Sequence, residues 1–385
     1  MTWNWQRPDW PDFSWDQDRI KKAEEVFLVG RGLFEGMVRH LHEVDREELT
    51  IEAISSEALT TSEIEGEILD RASVRSSIRR QLGLATDERR ATQAERGIAE
   101  MMVDLYRSFA QTLSHEMLFR WHRVLLRGRR DLGDVGHYRT SSEAMQIVSG
   151  PMHSPRVHYE GPPAAEVPGQ MERFIAWFNR TAPEGPDPLP GLTRAAIAHL
   201  YFESIHPFED GNGRIGRAIC EKALSQCQGQ PSFTALAATM LLRRKEYYTA
   251  LEAASKDNEI ISWIAWFSSI TIEAQRRTLA RVEFMVDKTK LLDGLRGRLN
   301  DRQEKALLRI LREGPEGFTG GLSAGNYMTI TRATPATATR DLADMVTKGA
   351  LRRTGERRHA RYHLAIPLRT VQAVTIDENG RLRGV

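Results

Sequence analysis

Twelve consecutive residues combine the side chains and glycines needed to hold a nucleoside triphosphate. The segment is His206-Pro207-Phe208-Glu209-Asp210-Gly211-Asn212-Gly213-Arg214-Ile215-Gly216-Arg217. Gly211 and Gly213 let the backbone approach a ligand closely, and Asn212 tolerates the same unusual dihedral angles. Residues 218–224 show a helical pattern, so the turn opens onto a helix N-terminus, where free N–H groups and the helix dipole favour an anion. We therefore predict a nest for phosphate groups in this turn.

Charged and titratable side chains flank this nest. Arg214 and Arg217 lie near one face of the first helical turn, and planar guanidinium groups suit phosphate oxygens. Asp210 offers a hard oxygen ligand for Mg2+, which proteins hold with one or two carboxylates plus substrate phosphates. His206 can accept a proton from an attacking hydroxyl at neutral pH, and Pro207 restricts the backbone beside it. This combination predicts nucleotide chemistry.

Other interpretations of the segment explain less of it. It is not a Walker loop, because no Gly-Lys-Ser/Thr follows, and it lacks the third glycine and the preceding strand of a dinucleotide site. A transition-metal site at His206, Glu209 and Asp210 is disfavoured, because no further histidine has ligand spacing. The plain alternative is a polar turn after a helix at 193–205, with His206 as a cap and both arginines solvated.

The segment matches, position for position, the Fic-family signature His-Pro-Phe-x-Asp/Glu-Gly-Asn-Gly-Arg-x-x-Arg. The chain thus resembles Fic-domain proteins, most strongly over about residues 50–275. The resemblance implies a mostly helical fold that transfers AMP from ATP to a hydroxyl of a target protein. It implies that His206 is the general base, that Asp210 holds Mg2+ and that Arg217 is also catalytic. It further implies phosphate contacts by Gly211, Asn212, Gly213, Arg214 and Arg217.

This resemblance also suggests a function for an acidic segment far upstream. Taken alone, Thr61-Ser62-Glu63-Ile64-Glu65-Gly66 indicates a helix end with a glycine cap. The Fic family often carries an inhibitory helix with the pattern Ser/Thr-x-x-x-Glu-Gly/Asn, which Thr61, Glu65 and Gly66 match. The resemblance implies that Glu65 pairs with Arg217, so that a carboxylate competes with the γ-phosphate for the guanidinium. It also leaves open that the same glutamate orients a water molecule to remove AMP.

Length and composition bound the rest of the chain. Its 385 residues suggest two or three domains, and the net charge of +2 excludes a polyanion-binding field over the whole molecule. Cys220 and Cys227 are the only cysteines, and in one helix they would lie roughly 10 Å apart along the axis, too far for a disulfide. This favours a reducing cytosol. With no signal-peptide core and no membrane-spanning run, we expect a cytoplasmic protein without membrane contact.

The hydrophobic pattern predicts a mainly α fold in three parts. Residues 1–110 hold an extended arm, a helix or helix pair at 18–48 and an inhibitory helix at about 50–69. The arm carries half of the tryptophans: Trp3, Trp5, Trp10 and Trp15. We expect it to pack its indoles onto the body, with a homodimer contact as the alternative. Residues 111–290 form a Fic-like helical core, and residues 291–385 form a winged-helix domain with a tail hairpin near Asn379-Gly380.

Two short β-prone runs, Met145–Val148 and Arg156–Tyr159, interrupt the predicted helices. They predict a β-hairpin at the position of the flap in the Fic family, where a target segment could bind by strand addition. The alternative is an ordinary surface hairpin. Tyr247 and Tyr248 either line the adenine or flap side of the site, as tyrosines do in the family, or belong to the core and its rim.

The C-terminal part shows helices at 301–313, about 323–330 and 336–348, then strands at 350–353 and 361–364. This order predicts a winged helix. A DNA phosphate-backbone footprint would comprise Arg352, Arg353, Arg357, Arg358 and Arg361 at the wing, with Thr337, Thr339 and Arg340 on the recognition helix. The alternative is a solvated or protein-binding module.

The whole sequence therefore predicts a protein adenylyltransferase that uses ATP and Mg2+. It would modify a Ser, Thr or Tyr hydroxyl of a target protein or of itself, with Glu65 as a brake. De-AMPylation or transfer of another nucleotide by the same site is one alternative. Phosphocholine transfer is disfavoured, because two arginines suit a triphosphate. The alternative from another class is a DNA-binding regulator whose nucleotide site controls the winged helix.

Overall fold

The protein is described by a computed structural model. It describes residues 2–39, 41–84, 89–150, 155–232, 234–312, 318, 320–367 and 371–385. The chain divides into two compact units. The first comprises Met1–Leu33, His42–Thr278 and Gln372–Val385, and the second comprises Phe34–Leu41 and Leu279–Val371.

Helices build most of both units, so the predicted mainly α fold class is confirmed. In chain order they are α1 (Asp18–Arg39), α2 (Glu43–Ile64), α3 (Arg71–Gln81), α4 (Gln93–Ser108), α5 (His115–Leu125), α6 (Val167–Arg180), α7 (Gly191–Ile205), α8 (Asn212–Gln228), α9 (Leu236–Leu242), α10 (Arg244–Ala254), α11 (Ile261–Leu295), α12 (Asp301–Leu311), α13 (Ala324–Thr331) and α14 (Pro335–Thr347). The described strands form antiparallel pairs: β1 (Gln146–Ser149) with β2 (Arg156–Glu160), β3 (Leu351–Thr354) with β4 (Arg361–Leu364), and β5 (Thr375–Ile376) with β6 (Leu382–Arg383).

Helix α7 is the centre of the first unit. All of its residues are buried, including the polar side chains of Arg194, His199 and Glu203. Helix α8 packs along it and buries Ile215, Ile219 and Leu224 in the same core. Because α7 ends at Ile205 and α8 begins at Asn212, this helix pair fixes both ends of the loop that carries the motif.

The predicted inhibitory helix at about 50–69 differs from the structure at both ends. Helix α2 begins at Glu43 and ends at Ile64. It ends there because Gly66 has a φ of +83°, a left-handed conformation that a right-handed helix does not continue. Helix α3 is an element that the hydrophobic pattern did not predict. The Asp70 side chain caps it by accepting a hydrogen bond from the Ser73 amide at 2.8 Å.

The N-terminal arm packs onto the first unit, as predicted. It is less extended than predicted: a 3-10 turn at Asn4–Gln6 is followed by turns in which the Trp10 amide donates to the Arg7 carbonyl and the Asp12 amide donates to the Asp9 carbonyl. The Trp5 indole donates to the Glu160 carbonyl at 2.7 Å, and the Trp10 indole donates to the Gln170 side chain at 2.8 Å. At the other terminus, β5 and β6 form the predicted tail hairpin. The thiols of Cys220 and Cys227 are free.

Strands β1 and β2 form the hairpin that the sequence predicted. Their register pairs Ile147 with Tyr159 and Val148 with Val157, with an irregularity between Ile147 and Val148. All four residues of β1 are exposed, whereas Tyr159 of β2 is buried. Residues 151–154, between the two strands, lie outside the described residues. We refer to β1 and β2 together as the flap hairpin.

The second unit has its own hydrophobic core. Helices α12, α13 and α14 precede the β3–β4 hairpin, close to the predicted positions, and Leu322 forms an antiparallel bridge with Tyr362 of β4. Leu307, Leu342 and Leu351 are among its buried residues. Most of the glycine-rich loop before α13 and the side chain of Arg358 lie outside the described residues. The winged-helix assignment stays a prediction.

No helix in the described part of the chain is both long enough and apolar enough to cross a membrane.

Candidate active site

The motif loop is bracketed by two residues in the left-handed conformation. His206 ends α7 with a φ of 48°, and Gly211 precedes α8 with a φ of +84°. The Asn212 side chain braces the loop between them: its amide donates to the Phe208 carbonyl at 2.8 Å and its oxygen accepts from the Phe208 amide at 2.9 Å. The sequence assigned Asn212 to phosphate binding through its backbone, and its side chain is used to shape the turn.

A histidine far upstream also supports the loop. The His122 ring of α5 stacks on the Phe208 ring at 4.1 Å between centroids, and its Nε2 lies 3.1 Å from the Asp210 carbonyl oxygen. Its Nδ1 accepts a hydrogen bond from the Gly136 amide at 2.8 Å. Burial lowers the pKa of His122 to about 4, so the ring is neutral and donates to Asp210 through Nε2.

His206 lies at the end of α7 with little of its side chain exposed. Burial lowers the pKa of His206 to about 3, and the nearby Arg139 guanidinium lowers it further in the same direction. Arg139 also donates to the His206 backbone carbonyl at 2.9 Å. The imidazole is therefore neutral at physiological pH and has a lone pair that can accept a proton.

A buried glutamate of α7 faces this histidine. The Glu203 Oε2 lies 3.6 Å from the His206 Nδ1, which is too long for a hydrogen bond. Burial raises the pKa of Glu203 to about 8, even though the positive charge of Arg217 acts in the opposite direction. Glu203 is therefore largely protonated at neutral pH and adds little negative charge to the site.

Asp210 is the candidate Mg2+ ligand. About a third of its side chain is exposed. Its carboxylate pairs with Arg129 at 2.8 Å and with Arg214 at 3.5 Å. Within the described residues no group of three or more His, Cys, Asp or Glu side chains could hold a metal ion by itself. A single accessible carboxylate still fits Mg2+, which takes its other ligands from phosphates and water.

Arg217 and Glu65 are in direct contact. The Arg217 guanidinium is almost fully buried, and its Nη2 lies 2.6 Å from the Glu65 Oε1. Thr61 holds the same guanidinium twice, because its Oγ1 accepts from Nε at 2.7 Å and its carbonyl accepts from Nη2 at 3.0 Å. Burial alone would lower the pKa of Arg217, but the Glu65 carboxylate raises it above its ordinary value. These contacts engage Nε and Nη2, whereas the buried Nη1 has no hydrogen-bond partner among the described residues.

The Glu65 carboxylate also lies against the predicted phosphate nest. A Cβ added at Gly213 would be only 2.2 Å from the Glu65 Oε1. The carboxylate therefore occupies the space at the N-terminus of α8, where the helix dipole favours an anion. Arg214 is also paired with the segment that follows α2: it donates to Glu67 at 2.9 Å. Gly66 lies between these two glutamates and ends the helix.

A cavity of about 650 Å³ lies between the flap hairpin and α10. Its wall includes Ile147, Tyr159, Glu203, Ser204 and Tyr248. Ser204 is two residues before His206, so the cavity adjoins the motif loop. The cavity is large enough for a nucleoside or a short segment of a target.

The two neighbouring tyrosines differ in position. Tyr247 belongs to the core, where its hydroxyl pairs with the His199 Nε2 at 2.8 Å. Tyr248 is partly exposed and lines the cavity. Tyr247 therefore belongs to the hydrophobic core, and Tyr248 lies on the flap side of the candidate site.

Several residues around the motif could not be found from its pattern. His122, Arg129 and Arg139 come from the chain before the flap hairpin, and Glu67 follows α2. None of them has a fixed spacing from the motif, because they reach it through tertiary packing. The one available signal was Glu203, which lies one helical turn before His206 on α7.

Two family profiles match parts of this chain. The Fic/DOC family matches residues 112–224, which include the flap hairpin and the motif. A domain of unknown function (DUF4172) matches residues 3–84, which include the arm and α2. The second match covers the segment that carries Glu65.

Curated relatives match the chain at modest identity. The protein adenylyltransferase fic-1 of Caenorhabditis briggsae is 28% identical over 163 residues, which are 42% of this chain and 28% of that protein. The protein adenylyltransferase Fic of Nematostella vectensis is 30% identical over 146 residues, which are 36% of this chain and 32% of that protein. The matches thus span less than a third of the length of these relatives. A solved Fic family protein from Desulfovibrio desulfuricans G20 aligns with a TM-score of 0.49 at 20% identity, over 89% of this chain and 95% of that one.

Proposed function

Because this chain is a Fic-domain protein, we propose that it transfers AMP from ATP to a hydroxyl side chain of a protein. The observation that carries the proposal is the arrangement of the motif loop between α7 and α8. A neutral His206 lies at one end of the loop, the N–H groups at the start of α8 follow, and Arg217 lies within the first turns of that helix. This is a general base beside a phosphate site.

In the proposed reaction a Ser, Thr or Tyr hydroxyl gives its proton to His206 and its oxygen attacks the α-phosphorus of ATP. The bond to the β-phosphate breaks and pyrophosphate leaves. The phosphate charges favour the protonated imidazole, so a bound nucleotide raises the pKa of His206 from about 3 towards the range useful for a base. Asp210 would hold Mg2+, which neutralises phosphate charge when bound.

The arginines would bind the leaving pyrophosphate. Arg214 and Arg217 are on the first two turns of α8, and the N–H groups at Gly211–Gly213 point to the same region. In this proposal the γ-phosphate binds to Arg217 and to the N–H groups at the start of α8. Both are in contact with Glu65.

We further propose that Glu65 inhibits the transfer. A carboxylate that forms a 2.6 Å ion pair with Arg217 and lies against Gly213 competes with the γ-phosphate for one cation and one helix terminus. ATP could still bind, but with its α-phosphate out of line for attack, which costs roughly 100-fold in rate. Thr61 supports this state by holding the same guanidinium.

Position-specific labelling of ATP tests the proposed reaction. The Glu65→Gly variant with α-labelled ATP, Mg2+ and cell lysate should yield labelled protein, whereas γ-labelled ATP should add no label beyond that of lysate alone. The Glu65→Gly/His206→Ala double variant should lose the label, because the base is missing. Label from γ-labelled ATP would indicate phosphoryl transfer instead, and no protein label from either ATP would contradict the proposal.

The same site could also serve a reverse or related reaction. Removal of AMP by a Glu65-oriented water would appear as loss of label from protein already labelled with AMP. Transfer of another nucleotide would appear with α-labelled UTP, GTP or CTP, and self-modification as labelling of the enzyme without lysate. Homodimer formation and a cytoplasmic location also stay predictions.

DNA binding by the second unit is a second candidate function. Arg352 and Arg353 are exposed on β3, and Arg340 is exposed on α14, so these side chains could contact a phosphate backbone. Binding to a random duplex should then weaken steeply with salt, and the Arg352→Ala/Arg353→Ala variant should reduce the salt slope by about two. An unchanged slope would remove this candidate.

A further inference from the structure

The N-terminal arm contacts the elements that surround the cavity beside the motif. The Trp5 indole donates to the Glu160 carbonyl of β2 at 2.7 Å. The Asn4 side chain donates to the Ser204 Oγ at 2.8 Å, near the end of α7. The Asn4 amide donates to the Ser255 carbonyl, just after α10, also at 2.8 Å. One short segment thus joins the flap hairpin, the motif-bearing helix and the end of α10.

Asn4 supplies the buried part of these contacts, whereas the Trp5 indole bond to Glu160 is partly buried. Asn4 is fully buried, and its side-chain oxygen accepts from the Trp5 amide at 2.8 Å while its carbonyl accepts from Asn258. A buried polar side chain is tolerated only when it is hydrogen-bonded, and a satisfied network is rigid. The arm is therefore a fixed part of this site.

Trp3 extends the connection to the cavity wall. Its ring meets the Tyr159 ring edge-on at 5.2 Å between centroids, and the Tyr159 hydroxyl donates to the Ser204 carbonyl. Tyr159 and Ser204 both line the cavity, and Ser204 is two residues before His206. The arm therefore links the inner strand of the flap hairpin to the end of the helix that carries the base.

The flap hairpin needs such support. A two-stranded hairpin is marginally stable in water, and every residue of β1 is exposed. The Arg139 guanidinium also holds the base of the hairpin, where it donates to the Pro162 carbonyl. Trp5 adds a donor to β2 at Glu160, the residue paired with Gln146 of β1.

We propose that the N-terminal arm positions the flap hairpin for target binding, with Trp5 as the positioning residue. By holding the Glu160 carbonyl, Trp5 keeps the hairpin edge at a fixed distance from His206, so that a target strand paired with the hairpin places its hydroxyl near the base. This assigns a role to part of the segment that matches a domain of unknown function. The role in target binding depends on the proposed AMP transfer, whereas the support of the hairpin does not.

The test compares Trp5→Phe with a matched control, Trp15→Phe. Both variants replace an indole by a phenyl ring and remove one N–H donor from the arm. The Trp15 indole donates to Gln17, within the arm itself, at 2.7 Å. Amide hydrogen exchange is measured over residues 146–149 and 156–160, with α8 as the internal reference. We expect roughly five- to tenfold faster exchange of the hairpin in Trp5→Phe, as for loss of one hydrogen bond, and no change in Trp15→Phe or in α8.

Two exchange outcomes would overturn the support role. One is unchanged exchange of the hairpin in Trp5→Phe. The other is equal acceleration of the hairpin and α8, which would show a general loss of stability and no specific effect on the hairpin.

Activity then tests the positioning role separately. With Glu65→Gly as the background, Trp5→Phe should lower protein labelling from α-labelled ATP about fivefold, and the ATP concentration for half-maximal labelling should not change. Unchanged labelling in a variant with a loosened hairpin would overturn the role in target binding. If Glu65→Gly itself labels no protein while the hairpin exchange still rises, the proposed function fails and the support role stands.

Discussion

At the scale of single residues, the site depends on one buried arginine with two possible partners. Arg217 is held by Thr61 and Glu65, and the Glu65 carboxylate also fills the space beside Gly213. A buried guanidinium cannot be left unpaired without a large cost in free energy. Release of the Arg217 guanidinium from α2 therefore requires another anion in the place of the Glu65 carboxylate. The γ-phosphate of ATP is the anion that the proposed reaction supplies.

Thr61→Val should weaken the proposed inhibition by Glu65 without removing it. The change keeps the shape of the side chain but deletes the Oγ1 that accepts from the Arg217 Nε. A hydrogen bond to a charged group is worth about 1.5–3 kcal/mol, so we expect AMP transfer to rise roughly tenfold, less than in Glu65→Gly. The control is Thr60→Val on the same helix, whose Oγ1 donates only to the Ser56 carbonyl. A rate equal to wild type in Thr61→Val would contradict this account.

Glu57 should make the stability of the first unit depend on pH. Its carboxylate accepts from the Ala237 amide at the start of α9, and burial raises its pKa from 4.5 to about 7. A raised acid pKa means that stability is fully present below pH 4.5 and is lost as pH rises through 7. Glu57→Gln should therefore gain about 1–3 kcal/mol relative to wild type between pH 5 and pH 8. Urea unfolding at pH 5 and at pH 8 measures this difference in the free energy of unfolding. Glu52→Gln on the same helix should keep the pH dependence of wild type.

The candidate residues of the motif could be selected from the sequence, whereas most of the residues around them could not. The motif residues are contiguous, so their types and spacing could be recognised together. Glu65 and Arg217 were paired only through the family resemblance, because nothing in the sequence specifies a contact between residues 152 positions apart. His122 and Arg139 could not be predicted, since they reach the motif only after α5 and the following loop have packed.

At the scale of elements, the end of α2 decides where Glu65 lies. Glu65 is the residue after the last helical residue, and Gly66 turns the chain with a φ of +83°. The hydrophobic period continued to Leu69, so periodicity alone extended the predicted helix past this point. The local conformation of a single glycine overrode the pattern, as it often does at helix C-termini.

Gly66→Ala should destabilise the first unit by about 1 kcal/mol, because a Cβ is strained at positive φ even where space is open. Gly66→Asn should cost less, since asparagine tolerates this conformation. Gly169→Ala on the exposed side of α6 is the matched control and should stabilise the protein slightly, because that glycine is helical and also has open space. Urea unfolding compares the three variants, and equal effects of both alanines would contradict the argument.

At the scale of the whole molecule, the chain has two separate hydrophobic cores. One contains α7 and α8, and the other contains α12 and α14. The sequence predicted most of the helices and the strand pairs in their order, but it missed α3 and gave α2 other bounds. The sequence analysis placed the boundary between the predicted core and the winged helix after residue 290. In the structure that position lies within a single helix, α11, which runs from Ile261 to Leu295.

Separate cores predict separable unfolding. Leu342→Ala should lower the free energy of unfolding of the second unit by about 2–5 kcal/mol and shift one calorimetric transition to lower temperature. Leu118→Ala should have an effect of similar size on the first unit and shift a different transition. Only the Leu118 variant should also lose AMP transfer on heating through its transition. A single transition shifted equally by both variants would show that the units unfold together.

The most direct test of the central claim is the rate of AMP transfer from α-labelled ATP by wild type and by Glu65→Gly, measured with the same ATP, Mg2+ and target preparation. Removing the carboxylate frees Arg217 and the start of α8 for the γ-phosphate, so the account predicts a rate roughly 100-fold higher in the variant. Equal rates in the two proteins would contradict it, because the ion pair would then have no influence on catalysis.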